Sequence, residues 1–174
     1  YVDAKTLKLM FRAGMKSLES KKAWINELNV FPVPDGDTGT NMSLTLTSAA
    51  KELSKLKDTA SLDQVGKMIS SGTLKGARGN SGVIMSQLCR GFVKVIDEKD
   101  DLTHIDPETM AEAMERATKT AYKAVMKPKE GTILTVAGAA AEKAKELATK
   151  KITFEELLEG VLAHAEEVLE KTPN

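Results

Sequence analysis

Only one cysteine, Cys89, stands among the 174 residues, so no disulfide can form within the chain. A reducing cytoplasm is the simplest compartment for such a composition. Aromatic residues are scarce, at 4%, which leaves few rings to stack on nucleobases. Neither sign of charge is in excess: Lys+Arg and Asp+Glu both number 25. No net field therefore steers the chain onto nucleic acid or an acidic membrane. No apolar run approaches the roughly 20 residues of a membrane span, and the N-terminus is amphipathic, unlike the continuous apolar core of a secretory signal. The two histidines, His104 and His164, have no cysteine or second histidine near them and read as surface or edge residues. An initiator methionine is also missing, and Thr172–Pro173–Asn174 is an abrupt ending. The expectation is one domain, residues 1–174, forming the N-terminal part of a longer protein.

What the chain has in quantity is helix-forming sequence. Apolar residues make up 41%, many of them Ala, Leu and Met. Residues 2–27 read as one amphipathic helix with Leu7, Met10, Phe11, Gly14, Met15 and Leu18 on its buried stripe. A second helix is expected from about Thr40 to Leu56. Ser61 and Gln64 form a capping box for a third, with Leu62, Val65, Met68 and Ile69 inward. A fourth begins near Ser81 and turns Val83, Ile84, Leu88, Phe92, Val95 and Ile96 to the core; Cys89, inside it, reads as packing. Asp106 caps a fifth, with Pro107 at its first position. A sixth, alanine-rich helix opens near Thr132. Thr153 and Glu156 cap the last, with Leu157, Leu158, Val161, Leu162, Ala165 and Leu169 inward. No convincing strand is found. The fold class is all-α: an up-and-down antiparallel helical bundle or barrel of seven helices.

Three polar stretches interrupt this pattern. The first is Asn29–Val30–Phe31–Pro32–Val33–Pro34–Asp35–Gly36–Asp37–Thr38–Gly39–Thr40–Asn41–Met42. Asp35 and Asp37 are two apart, so in extended chain their carboxylates can point the same way. Like charges that close repel unless a cation neutralises them. Carboxylates beside a glycine turn suit magnesium or manganese. The helix that follows offers free N–H groups to phosphate oxygens. A plain surface turn with a threonine cap is the simpler alternative, but the proline-stiffened, partly apolar approach goes beyond what a turn requires. An EF-hand is excluded, because the sixth position from Asp35 is Thr40 and the twelfth is Leu46. The second stretch, Gly72 to Gly82, spaces Gly76, Gly79 and Gly82 by three. It is neither a P-loop nor a dinucleotide fingerprint; close phosphate approach and close helix packing are equally good readings of it. The third is Lys127–Pro128–Lys129–Glu130–Gly131–Thr132. In an up-and-down bundle every second connection lies at the same end. The stretches opening helices two, four and six should therefore meet.

Together the first stretch, Gly76–Gly82 and Lys127–Thr132 resemble the nucleotide-binding domain of the dihydroxyacetone kinase L-subunit family, and more closely the N-terminal ATP-binding domain of the bacterial fatty acid kinase ATP subunit. The resemblance covers nearly the whole chain. It implies a barrel of eight antiparallel helices, seven of them supplied here, binding ATP (and ADP as product) with two magnesium ions at one end; manganese is a chemical equivalent. By that resemblance Asp35 and Asp37 are the catalytic metal-holding aspartates, and Asn29 stands near a third aspartate of the dihydroxyacetone kinases. Thr38 replaces their histidine, which argues against dihydroxyacetone as substrate, and joins the nucleotide-binding set. Asn41, Asn80, Ser81 and Gly82 match phosphate-contacting positions. Ile84 and Ile133 fall where apolar residues wall the adenine, with Thr132 beside them.

The resemblance points to phosphoryl transfer from ATP to a fatty acid carboxylate presented by a fatty-acid-binding carrier protein. The chemistry agrees: a carboxylate is already ionised near neutral pH and needs no general base, and the three stretches supply none. A homodimer is compatible with the full-length protein. Neither nucleic acid nor a transmembrane segment is expected. The competing readings are a kinase of dihydroxyacetone or another small hydroxyl compound, and a helical scaffold without catalysis.

Overall fold

The computed structural model describes residues 2–28, 37–125 and 133–171. Seven helices follow one another: α1 (Ala4–Leu28), α2 (Thr38–Leu53), α3 (Leu62–Lys75), α4 (Gly79–Glu98), α5 (Pro107–Ala124), α6 (Ile133–Ala148) and α7 (Phe154–Lys171). Each packs on the next in the chain, as short links between helices dictate. Two diagonal contacts, α2 with α4 and α1 with α3, thicken the N-terminal half. Among the described residues α7 makes no extensive contact with α1. None of the described helices is long and apolar enough to cross a membrane.

Local chemistry explains most helix boundaries. Ser61 Oγ accepts the Gln64 N–H at 3.2 Å, and Gln64 Oε1 accepts the Ser61 N–H at 2.9 Å. Thr153 and Glu156 repeat this reciprocal box at 3.1 and 3.3 Å at the start of α7. Asp106 Oδ1 accepts the Thr109 N–H at 2.7 Å, with Pro107 opening α5. Several expectations need correction here. Gly14, expected on the buried stripe of α1, is exposed, and a Cβ added there would meet nothing within 4 Å. A two-residue antiparallel strand pair exists: β1 (Val2–Asp3) pairs with β2 (His104–Ile105), Val2 opposite Ile105. Val2 therefore precedes the first helix instead of belonging to it. Such a pair is too short to show a period of two in sequence; it exists because Val2 and Ile105, at 2% and 0% exposure, bury each other at the end of the bundle. Val83 is exposed, since Ile84 beside it takes the inward direction. Leu162 is exposed for the same reason, with Phe154, Leu157 and Val161 forming the buried stripe of α7. The side chain of Leu169 lies outside the described residues. Helices α2 and α4 each begin two residues earlier than expected.

The main core runs through every helix and includes Leu53, Leu62, Val65, Ile96, Ile105, Ala144 and Leu157. Glycine brings backbones together where helices cross most tightly. A Cβ on Gly91 of α4 would lie 2.5 Å from the Arg116 carbonyl oxygen and 2.7 Å from the Ala117 Cα of α5. A Cβ on Gly72 would lie 2.6 Å from the Ala49 Cα of α2. Cys89 behaves as packing. The residue as a whole is only partly buried, but burial of its thiol pushes the pKa up to about 12 against the opposing hydrogen bond to Thr73. Thiolate is therefore scarce near neutral pH.

Candidate functional site at the mouths of α2, α4 and α6

The first turns of α2, α4 and α6 gather at one end of the bundle, as an up-and-down order requires. Hydrogen bonds join α2 to α4. Ser81 Oγ donates to the Thr38 carbonyl oxygen at 3.4 Å. The backbone N–H of Arg78, the N-cap of α4, donates to Thr45 Oγ1 at 3.2 Å. That hydroxyl donates in turn to the Asn41 carbonyl oxygen at 2.7 Å. Thr45 is wholly buried, so one hydroxyl fixes the register of both helix mouths with no exposed polar atom left over.

The glycine spacing acquires a structural meaning here. Gly76, Gly79 and Gly82 sit against Ser48, Asn41 and Thr45 of α2 respectively. Gly79 has φ +65°, a left-handed angle that favours glycine, and its missing side chain is replaced by the Asn41 amide. A Cβ on Gly82 would lie 2.5 Å from Thr45 Oγ1. Close helix packing, one of the two readings of this stretch, is therefore present at all three glycines. Asn41 is drawn onto the mouth of α4 by the same contact.

An apolar cluster joins α4 to α6. Ile84, Ala121 and Leu134 are buried together, with Leu88, Tyr122, Val125 and Ile133 packed around them. The two isoleucines assigned to an adenine wall thus share one cluster. Ile84 is only 7% exposed and lies deep in it, whereas Ile133 keeps more of its surface open. Asn80 is exposed on the first turn of α4, beside the half-buried Ser81.

Asp37 is the N-cap residue of α2 and is exposed. Its carbonyl oxygen accepts the Asn41 N–H at 2.8 Å, the first bond of the helix. Its carboxylate makes no capping hydrogen bond. An aspartate at this position ordinarily accepts the N–H of the second or third helical residue. That role is filled from α1: Asn26 Oδ1 accepts the Thr40 N–H at 3.0 Å, and Asn26 Nδ2 donates to Thr40 Oγ1 at 2.8 Å. The Asp37 carboxylate, uncommitted to its own helix, suits a hard divalent cation. Asn29, Asp35 and Thr132 lie outside the described residues, as do Lys127 and Lys129. Among the described residues no three His, Cys, Asp or Glu side chains cluster as a metal site; Asp37 is the one described member of the expected set.

Sequence reading missed Asn26 and Thr45. Thr45 carried a signal, four residues after Asn41 on the same helix face. Asn26 carried none, because it caps a helix that starts twelve residues later. The cavity of about 210 Å³ lined by Lys55, Leu56, Lys57, Thr59, Ala60 and Gln64 sits at the other end of α2 and takes no part.

The DAK2 domain profile matches residues 32–174. The chain is 48% identical over 172 residues to "Protein YloV" of Bacillus subtilis (strain 168), covering 99% of this chain and 30% of that protein. It is 46% identical over 173 residues to an uncharacterized protein of Staphylococcus aureus (strain bovine RF122 / ET3-1), covering 99% of this chain and 31% of the relative. A second uncharacterized protein, from Staphylococcus aureus (strain USA300), matches at the same 46% and the same coverage. The chain thus spans about a third of the length of the curated relatives it matches. A match that takes in every candidate residue except Asn29, on a bundle whose helix mouths converge, makes the chain a member of the kinase-related DAK2 domain family.

Proposed function

We propose that this chain is the nucleotide-binding part of a kinase that transfers the γ-phosphoryl group of ATP to a fatty acid carboxylate held by a separate fatty-acid-binding protein. The observation that carries the reading is the convergence of the α2 and α4 first turns around an exposed aspartate whose carboxylate is not spent on capping. Helix starts bring backbone N–H donors and the positive end of the dipole to one place. Asp37, with Asp35 and Asn29, would hold two magnesium ions, which supply charge neutralisation on the transferring phosphoryl group. Thr38, Asn41, Asn80, Ser81 and Gly82 would position the phosphates. Ile84 and Ile133, with Thr132, would wall the base on the apolar side.

In the transfer itself a carboxylate oxygen of the acceptor forms the new P–O bond. The bond from the γ-phosphorus to the β,γ-bridging oxygen breaks, and ADP leaves with the electron pair. The products are acyl phosphate and ADP, with no proton to remove from the acceptor. This matches the helix mouths, where no histidine stands ready as a base: His104 belongs to β2, at the far end of α4, and His164 to α7. A cytoplasmic location and a homodimeric full-length protein accompany the reading.

Family membership favours a second reading, phosphorylation of dihydroxyacetone or another small hydroxyl compound. Thr38 in place of histidine weighs against it. An acceptor screen on the full-length protein decides between them. Magnesium- and ATP-dependent formation of hydroxylamine-trappable acyl phosphate, seen only with a carrier-bound fatty acid, is the expected result. Phosphorylation of hydroxyl acceptors alone would replace the first reading with the second. If titration with ADP and magnesium gives no heat at all, the helical scaffold is the better account.

A further inference from the structure

We infer that Asn26 is a positioning residue, a substitute helix cap that releases the Asp37 carboxylate for ligand binding. The role assigned to the released group rests on the kinase reading above; the capping exchange does not. The start of α2 leaves the N–H groups of Thr38, Gly39 and Thr40 without intrahelical partners. Thr40 is the third helical residue, the donor that an N-cap aspartate commonly satisfies. Here the Asn26 amide, fourteen residues back on α1, meets that donor and the Thr40 hydroxyl together, at 3.0 and 2.8 Å. Two contacts from one planar amide to one residue fix both its distance and its orientation. The clasp also ties the last turn of α1 to the first turn of α2, so the ends of the segment between them are held at a set separation.

Chemistry explains why an asparagine from another helix should do this work. A carboxylate accepting a backbone N–H is oriented along its own helix and has less electron density to offer a cation. A neutral amide on α1 satisfies the donor without adding a negative charge near Asp37. Removing Asn26 therefore leaves the Thr40 N–H to Asp37, whose backbone (φ −118°, ψ 6°) turns to the extended angles seen at the capping residues Ser61 and Asp106 as its carboxylate takes the cap.

The test is a double-mutant cycle in the full-length protein: Asn26→Ala, Asp37→Ala and the two combined, read first by the thermal midpoint of this domain. Each single variant should melt within about 1 °C of the parent, because one cap acceptor remains in each; the double variant should lose roughly 2–4 °C, the consequence of one missing cap. A structural role unconnected with Asp37 gives additive losses instead. Titration with ADP and magnesium is the second readout. Asn26→Ala should bind about five- to tenfold more weakly, and Asn26→Asp, which keeps an acceptor for the Thr40 N–H but adds the charge that the amide avoids, should regain the midpoint and only part of the binding. Additive midpoints, or loss of the folded state in Asn26→Ala alone, overturn the inference. A coupled cycle in a parent that binds no ADP would leave the capping exchange standing and remove the kinase reading.

Discussion

Asp37 occupies a capping position without acting as a cap, and that separates its two roles experimentally. Its backbone oxygen holds the first bond of α2 whatever its side chain is. Asp37→Ala should therefore leave the helical circular dichroism signal intact and, on the proposed kinase reading with Asp37 as a metal-holding carboxylate, should lower turnover by about a hundredfold or more. Kinetics and circular dichroism on the same sample check both halves; unfolding would make Asp37 structural. Neighbouring residues show how much of a site can be read from residue type alone. Asp35-Gly36-Asp37 announces itself because two carboxylates flank a glycine. Asn26 does not, since nothing in its local sequence distinguishes it from any polar residue on an exposed helix end. Thr45 is intermediate: a threonine inside a helix ordinarily bonds back to its own preceding turn, and only the arrival of the Arg78 N–H gives that hydroxyl a second task.

Among the elements, α5 offers the clearest test of capping energetics. The Thr109 backbone N–H holds the Asp106 carboxyl below its ordinary pKa, against a smaller opposing effect of burial. Because the folded-state pKa is the lower one, the stabilisation is complete above the unfolded value near 3.8 and is lost as pH falls through the folded value. Asp106→Ala should cost about 1 kcal/mol near neutral pH, and the gap to the parent should narrow below about pH 4. Asp106→Asn, which keeps an acceptor oxygen, should lose less and should lack this contribution to the acid limb. Denaturant midpoints measured from pH 3 to 7 check the slope. Helix starts were legible in the sequence at Ser61, Asp106 and Thr153, where a side chain caps its own helix; Asp3, which accepts the Thr6 N–H at 2.8 Å at the start of α1, was read as part of the helix instead. The starts of α2 and α4 were misplaced by two residues because Asp37 and Arg78 make no side-chain cap.

For the whole molecule, the decisive arrangement is that the mouths of α2, α4 and α6 share one end. A ligand bridging them should stabilise the native bundle in proportion to its occupancy. At a hundredfold excess over the dissociation constant, ADP with magnesium should add about 2.7 kcal/mol, a rise of roughly 5–10 °C for a domain of this size. ADP with a chelator should add far less. Differential scanning fluorimetry of the full-length protein makes the comparison, and equal shifts with and without magnesium would contradict a metal-bridged nucleotide.

The sequence by itself determined the all-α class, the order of the described helices, and which end of the bundle gathers the first turns of α2, α4 and α6. Those follow from short-range rules: a period of 3.6 residues, caps written within four residues, and links too short to do anything but reverse direction. Only the tertiary structure decided the rest. It paired Val2 with Ile105, turned Val83 and Leu162 outward, seated three glycines on α2, and brought Asn26 to Thr40. Each of these depends on contacts between residues distant in the chain, whose pairing no local pattern specifies and whose energy exists only once the helices have packed.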